Sequence, residues 1–170
     1  MLITSLLLAA AALADPLAPA RQGQVQCYDP QPAKKLCRAI GSYEFATDGS
    51  IVNLGQTRIS EEPPIVMFAR GPVVVRGDQE CAEGGLREEM IERIEVAGQP
   101  LDAGTLAVAR SQIVASLPDY MRSSGSLCSS YAVKPDGTLT ATVDIDGVAR
   151  PELTATVLWV RPDEGWTVVP

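Results

Sequence analysis

Residues 129–147 read SSYAVKPDGTLTATVDIDG, and this stretch decides the class of fold. A β-rich run over 129–134 meets Pro135-Asp136-Gly137, a turn sequence, and 138–145 returns as the second arm of a hairpin. Asp146-Gly147 turns the chain again toward a strand over 153–161. Pro162-Asp163-Glu164-Gly165 then leads into a last strand at 166–169.

Working outward, the N-terminal half repeats the pattern. Residues 38–46 alternate toward a strand, Thr47-Asp48-Gly49-Ser50 supplies turn chemistry, and 51–59 returns. Glu61-Glu62-Pro63-Pro64 breaks the run. Two short β-rich runs follow at 65–69 and 72–76, separated by Arg70-Gly71. Leu86, Met90, Ile91 and Ile94 fit a helical stripe, while Ile94 and Val96 also fit strand alternation, so a short helix running into a short strand is expected there. The next helix is plainer. Asp102 caps it, Leu106, Ala109, Ile113 and Leu117 form one apolar face, and Pro118 ends it. No repeat of 20–50 residues recurs, which excludes a solenoid. The reading is an α+β domain: a mainly antiparallel sheet of about eight short strands in hairpins, with one principal helix near 103–117 packed on it.

The chain has 170 residues, and its first fourteen, MLITSLLLAAAALA, carry no charge. They fit the apolar core and small-x-small cleavage site of a signal peptide and are too short to span a bilayer, although Lys and Arg are missing ahead of them. The domain plan is therefore a signal peptide at 1–14, a flexible lead-in at 15–26, and one globular domain over 27–170. The product is expected to be periplasmic or secreted, with no stable membrane insertion. The four cysteines, Cys27, Cys37, Cys81 and Cys128, are an even set that reads as two disulfides in an exported chain. Three pairings are open. Cys27–Cys37 is favoured, because Pro30 and Pro32 make the intervening segment a closed loop, and Cys81–Cys128 would then tie the middle of the chain to its C-terminal third. No CxxC pair exists to build a thiolate metal site.

Composition removes several kinds of chemistry. Acidic residues outnumber basic ones 21 to 14, and the net charge of -7 gives no electrostatic reason to seek nucleic acid or an anionic membrane. The chain contains no histidine, so the commonest general base and zinc ligand is missing. Asp144-Ile145-Asp146-Gly147 has the wrong spacing for a calcium loop and reads as a hairpin turn. Ser123, Ser124, Ser126, Ser129 and Ser130 cluster, but no SxxK or GxSxG accompanies them. No cofactor or metal is expected, and no motif identifies a family.

Two groups of residues remain as candidates. If PDEG is a four-residue hairpin loop, Trp159, Arg161 and Trp166 share one face of the sheet, where an exposed group could stack on a sugar ring or anchor a protein partner. Leu153, Ala155 and Val157 continue the Trp159 face, which argues for burial. Glu88, Glu92 and Glu95 would share a helical face, with Glu89 four residues before Arg93, and paired carboxylates serve glycoside hydrolysis. The expected function is a non-catalytic binding or envelope-associated module with a protein or glycan partner. The alternative is a carboxylate-dependent hydrolase of the cell envelope using acidic residues such as Glu88 and Glu92.

Overall fold

The computed structural model describes residues 15–122 and 125–169. Eleven strands run through them: β1 (Val25–Tyr28), β2 (Ala39–Phe45), β3 (Ile51–Glu61), β4 (Pro64–Arg76), β5 (Gln79–Glu83), β6 (Ile91–Val96), β7 (Gln99–Pro100), β8 (Ser126–Val133), β9 (Leu139–Ile145), β10 (Val148–Ala149) and β11 (Ala155–Val160). The helices are α1 (Ala18–Arg21), α2 (Ala103–Ser116) and α3 (Asp119–Arg122). The residues expected to be the signal peptide lie outside the described residues. No helix among the described residues is long and apolar enough to cross a membrane.

Eight strands close into a barrel. Each of β1, β2, β3, β4, β5, β8, β9 and β11 is antiparallel to the next, and β11 returns to β1 with Gln26 opposite Trp159. Closure removes the unpaired strand edges that an open sheet would present. The barrel is not fully regular. β4 pairs with β6 over Ile65–Ala69 and with β5 over Val73–Arg76, so its partner changes near Gly71. Met90 fills the split; a Cβ on Gly71 would collide with its methyl group.

This is a β-rich, antiparallel, disulfide-bonded fold with a helix, as the hairpin signals imply, but its details differ from the sequence reading. The expected antiparallel sheet with a helix packed on it is instead a closed ring with α2 on its outside. Asp102 caps α2 as expected, its Oδ1 accepting the N–H groups of Gly104 and Thr105 at 3.0 and 3.1 Å. Leu106, Ala109, Ile113 and Leu117 do form a stripe, yet each is only half-buried, because α2 leans chiefly on β6 and the 3-10 turn before it, and the barrel interior is already closed to it. The runs at 65–69 and 72–76 are one continuous strand; Arg70-Gly71 lets β4 change partners without ending it. The helix expected near 86–94 is a single 3-10 turn at Glu88–Met90 followed by β6, since pairing Ile94 with Met67 on β4 outweighs a short helical stripe. Residues 166–169 form no strand. Pro162–Glu164 is a 3-10 turn, and Thr167 makes only an isolated bridge to Leu36.

The expected loose lead-in is a plug. Leu17 has no accessible surface and packs with Ala20, Ile51 and Val73, while Tyr43, Phe45 and Trp159 close around them at one end of the barrel. Two disulfides hold the outside. Cys27–Cys37 pins the loop before β2 onto β1, and Cys81–Cys128 joins directly opposed residues of β5 and β8.

Candidate functional site in the barrel interior

Side chains alternate in and out along a strand, so the registers place one set inside the barrel. That set is small where the strands face each other at mid-height: Gly41 on β2, Gly55 on β3, Ala82 on β5, Ser129 on β8, Ala141 on β9 and Ala155 on β11. An eight-stranded barrel is just wide enough to be filled by ordinary side chains or to hold one small ligand. With glycine, alanine and serine in this layer it is not filled, and a cavity of about 450 Å³ remains. Its walls are mostly apolar, with Val73, Leu127 and Val143 added to the alanines. Leu153, just before β11, and Met121 on α3 line the end away from the Leu17 plug.

The floor of the cavity is polar. Gln26 and Tyr28 come from β1, Tyr43 from β2, Glu80 from β5 and Tyr131 from β8, all at inward positions. The Tyr43 hydroxyl lies 2.7 Å from Glu80 Oε1 and 2.7 Å from Gln26 Oε1. Tyr131 Oη lies 2.8 Å from Glu80 Oε2 and accepts from Gln26 Nε2 at 2.9 Å. Gln26 Nε2 also reaches Glu80 Oε2 at 3.4 Å, and the Tyr28 hydroxyl donates to Gln26 Oε1 at 2.8 Å. Gln26 is fully buried and Glu80 only 8% exposed. Gly41 makes room for this cluster: a Cβ there would sit 3.2 Å from Gln26 Oε1 and 3.7 Å from the Tyr28 ring.

Burial raises the Glu80 carboxyl above the ordinary glutamate range, because the charged form loses its water. Hydrogen bonds from Tyr43, Tyr131 and Gln26 pull the other way and do not overcome it. Burial likewise raises Tyr28, Tyr43 and Tyr131, so all three stay phenols at neutral pH. No cationic side chain contributes to the state of Glu80 among the described residues.

The candidates singled out in the sequence are not brought together. Trp159 points into the barrel, 6.4 Å from the Tyr43 ring, whereas Trp166 lies outside, packed on Cys27, Cys37 and Val160. Arg161 is exposed. The common face fails because 162–164 is a 3-10 turn rather than a hairpin loop, so the last segment never pairs with β11. Glu88, Glu92 and Glu95 share no helical face. Glu88 sits in the turn before β6, Glu92 pairs with Arg70 at 3.5 Å, and Glu95 pairs with Arg93 at 3.1 Å. Glu89 reaches Arg87 rather than Arg93. None of these carboxylates lines the cavity.

Asp144 accepts from Gln79 Nε2 and the Gly147 N–H, and Asp146 accepts from the Gly125 and Ser126 N–H groups, so the two carboxylates tie this turn to β5 and to the start of β8. Among the described residues no three His, Cys, Asp or Glu side chains converge as a metal site. Ser129 is a cavity wall and Ser130 accepts from Gln79; Ser123 and Ser124 lie outside the described residues.

The sequence reading missed Gln26, Tyr28, Tyr43, Glu80 and Tyr131. One signal was available. Gln26 and Tyr28 flank Cys27, and Glu80 precedes Cys81, so any register that turned the disulfides outward would turn these polar neighbours inward. Compared with protein-family models, curated protein sequences and solved structures, the chain finds no match.

Proposed function

We propose that this chain is a non-catalytic binding protein that holds one small, largely apolar molecule inside its barrel. The observation that carries the reading is the cavity itself, emptied by Gly41, Gly55, Ala82, Ala141 and Ala155 and floored by a hydrogen-bonded polar cluster. Its volume lies within the range of small-molecule sites, and apolar walls with a few convergent polar groups are the usual composition of such sites. A core kept for stability alone would be filled, since unfilled interior volume costs packing energy. The two disulfides suit an oxidising compartment, consistent with an exported carrier or sensor rather than a cytosolic enzyme. The reading keeps the chain a binding module and places the ligand in the interior rather than at Trp159, Arg161 and Trp166.

The test uses a neutral dye whose fluorescence rises in apolar surroundings, N-phenyl-1-naphthylamine, titrated into the purified chain. Saturable binding is expected, together with its loss in Ala141→Phe, which fills the cavity from β9. Gly55→Leu provides a second filling, because a Cβ on Gly55 meets nothing closer than 3.8 Å. Dye binding that survives both substitutions in folded protein would place the site elsewhere and end the reading.

A further inference from the structure

We propose that Glu80 is a neutral carboxylic acid in the folded barrel, and that the cavity above it selects uncharged ligands with an apolar body and a hydrogen-bond-donating head group. The inference rests on the binding reading and is carried by a count of protons.

Six contacts join Gln26, Tyr28, Tyr43, Glu80 and Tyr131. Each contact needs one proton. The three phenols supply one apiece and the Gln26 amide supplies two, which makes five. The shortage falls on Tyr43, whose single proton stands between two acceptor oxygens, each at 2.7 Å. Turning the Gln26 amide over does not remove it. Its nitrogen then donates to Tyr28 and Tyr43, and its oxygen joins Glu80 Oε2 in facing the single proton of Tyr131. That orientation is two protons short, because the Tyr28 hydroxyl then accepts and its own proton serves none of the six contacts; in the first orientation the one missing proton has one source, the carboxyl group. With it on Oε1, Glu80 donates to Tyr43, Tyr43 donates to Gln26, and all six of these contacts are satisfied, the further approach of Tyr28 and Tyr131 sharing a proton already counted.

The groups that face Glu80 from the neighbouring strands are Gln26 and Tyr28 on β1, Tyr43 on β2 and Tyr131 on β8. All are uncharged at neutral pH, so none compensates an ionised carboxylate. The rise of the Glu80 carboxyl on burial points the same way.

The consequence for ligands follows from the same count. In the orientation that satisfies all six contacts every donor of the cluster is committed within it, so what Glu80 and Tyr28 offer toward the cavity is acceptor capacity. A hydroxyl or primary amide head group satisfies such a floor. At this floor a carboxylate meets acceptors and loses its water without replacement, and the one cationic side chain lining the cavity among the described residues, Arg38, is already paired with Asp29 at 3.1 Å. An ammonium donates, but it needs a carboxylate counter-charge, and forming one takes from the network the proton that completes it.

The experiment titrates three probes with the same chain, 1-octanol, octanoate and octylammonium, into the purified protein at pH 7 by calorimetry. An infrared difference spectrum between the wild type and Glu80→Gln is recorded on the same samples. Octanol is expected to bind at least about tenfold more tightly than either charged probe. The spectrum is expected to show the carbonyl stretch of a protonated carboxylic acid, present in the wild type and lost in E80Q. Tightest binding of octanoate or octylammonium, or a Glu80 that absorbs as a carboxylate, overturns the proposal and leaves the binding reading standing. Failure of all three probes, with the protonated-acid band present, takes down the binding reading and the ligand class with it.

Discussion

The Tyr43 hydroxyl lies 2.7 Å from Glu80 Oε1 and joins β2 to β5 across the barrel interior, between strands that are not neighbours in the ring. Backbone pairing cannot make such a connection, so the side-chain cluster braces the barrel from within. Removing one member leaves the others buried and unsatisfied, which costs more than the bond itself contributes. Tyr43→Phe is therefore expected to keep the fold and lose about 1–3 kcal/mol in urea unfolding. A loss below about 0.5 kcal/mol, the usual size of a neutral surface change, would show that the brace is not structural.

The raised carboxyl of Glu80 makes a prediction about pH with a definite sign. A group bound to its proton more tightly in the folded state stabilises fully below its unfolded value, and that contribution falls away as pH rises through the folded value. Stability from Glu80 therefore declines from the ordinary glutamate range upward, opposite in sign to Asp15, Asp48, Glu89, Asp102 and Asp136. Those carboxyls are held low by hydrogen bonds and lose their contribution on acidification. Denaturation midpoints from pH 4 to 8 for wild type and E80Q isolate the term. The variant should gain on the wild type steadily as pH rises, and a constant difference would contradict a raised value.

Leu17 belongs to the core although it precedes the first strand. Leu17→Ala is expected to cost about 2–5 kcal/mol, the range for deleting a fully buried leucine side chain. Thermal unfolding measures it. A cost typical of an exposed tail would mean that residues 15–22 are not the plug.

The two disulfides close loops of very different length, with separations of 10 and 47 residues. In the chain-entropy account they stabilise by about 3 and about 4 kcal/mol respectively. The double substitution Cys81→Ala with Cys128→Ala is expected to lower the unfolding midpoint more than Cys27→Ala with Cys37→Ala. The reverse order would show that the loop packed under Trp166 contributes chiefly through contacts.

Gly85 sets the position of Met121 at the cavity. A Cβ on Gly85 would collide with the backbone carbonyl oxygens of Met121 and Arg122, which cannot swing aside as a side chain could. Leu86 N–H also donates to the Met121 carbonyl at 3.2 Å. Gly85→Ala is expected to displace α3, seen as faster amide exchange over 119–122 and faster release of the bound dye, with the barrel strands still protected. Unchanged exchange in that segment would show that Gly85 does not set the position of Met121.

Much of the fold is legible in local chemistry. The turn at Pro135-Asp136-Gly137, the Asp102 cap and Pro118 stop of α2, and the short Cys27–Cys37 loop are each specified by residues close together in the chain. They appear in the structure where the sequence places them. Strands β1 and β5 were missed for one common reason. Their inward residues, Gln26, Tyr28 and Glu80, are polar, so the alternation that marks a half-buried strand is weakened or reversed. The tryptophans were misplaced because a four-residue turn was read as a hairpin loop, and that choice alone decides which face Trp166 occupies.

The amino-acid sequence by itself determined the β-rich class, the disulfide-permissive cysteine set and the absence of histidine chemistry, because these depend on composition and on neighbours a few residues apart. Which face of each strand is the inside was decided only by closure, when β1 paired with β11 across more than a hundred residues of chain. That pairing gathers five polar positions from four strands into one hydrogen-bonded cluster and sets six small residues opposite one another as a cavity. Neither feature exists in any single strand. A buried polar group is tolerable only when its partners arrive with it, and here they arrive from the far ends of the chain.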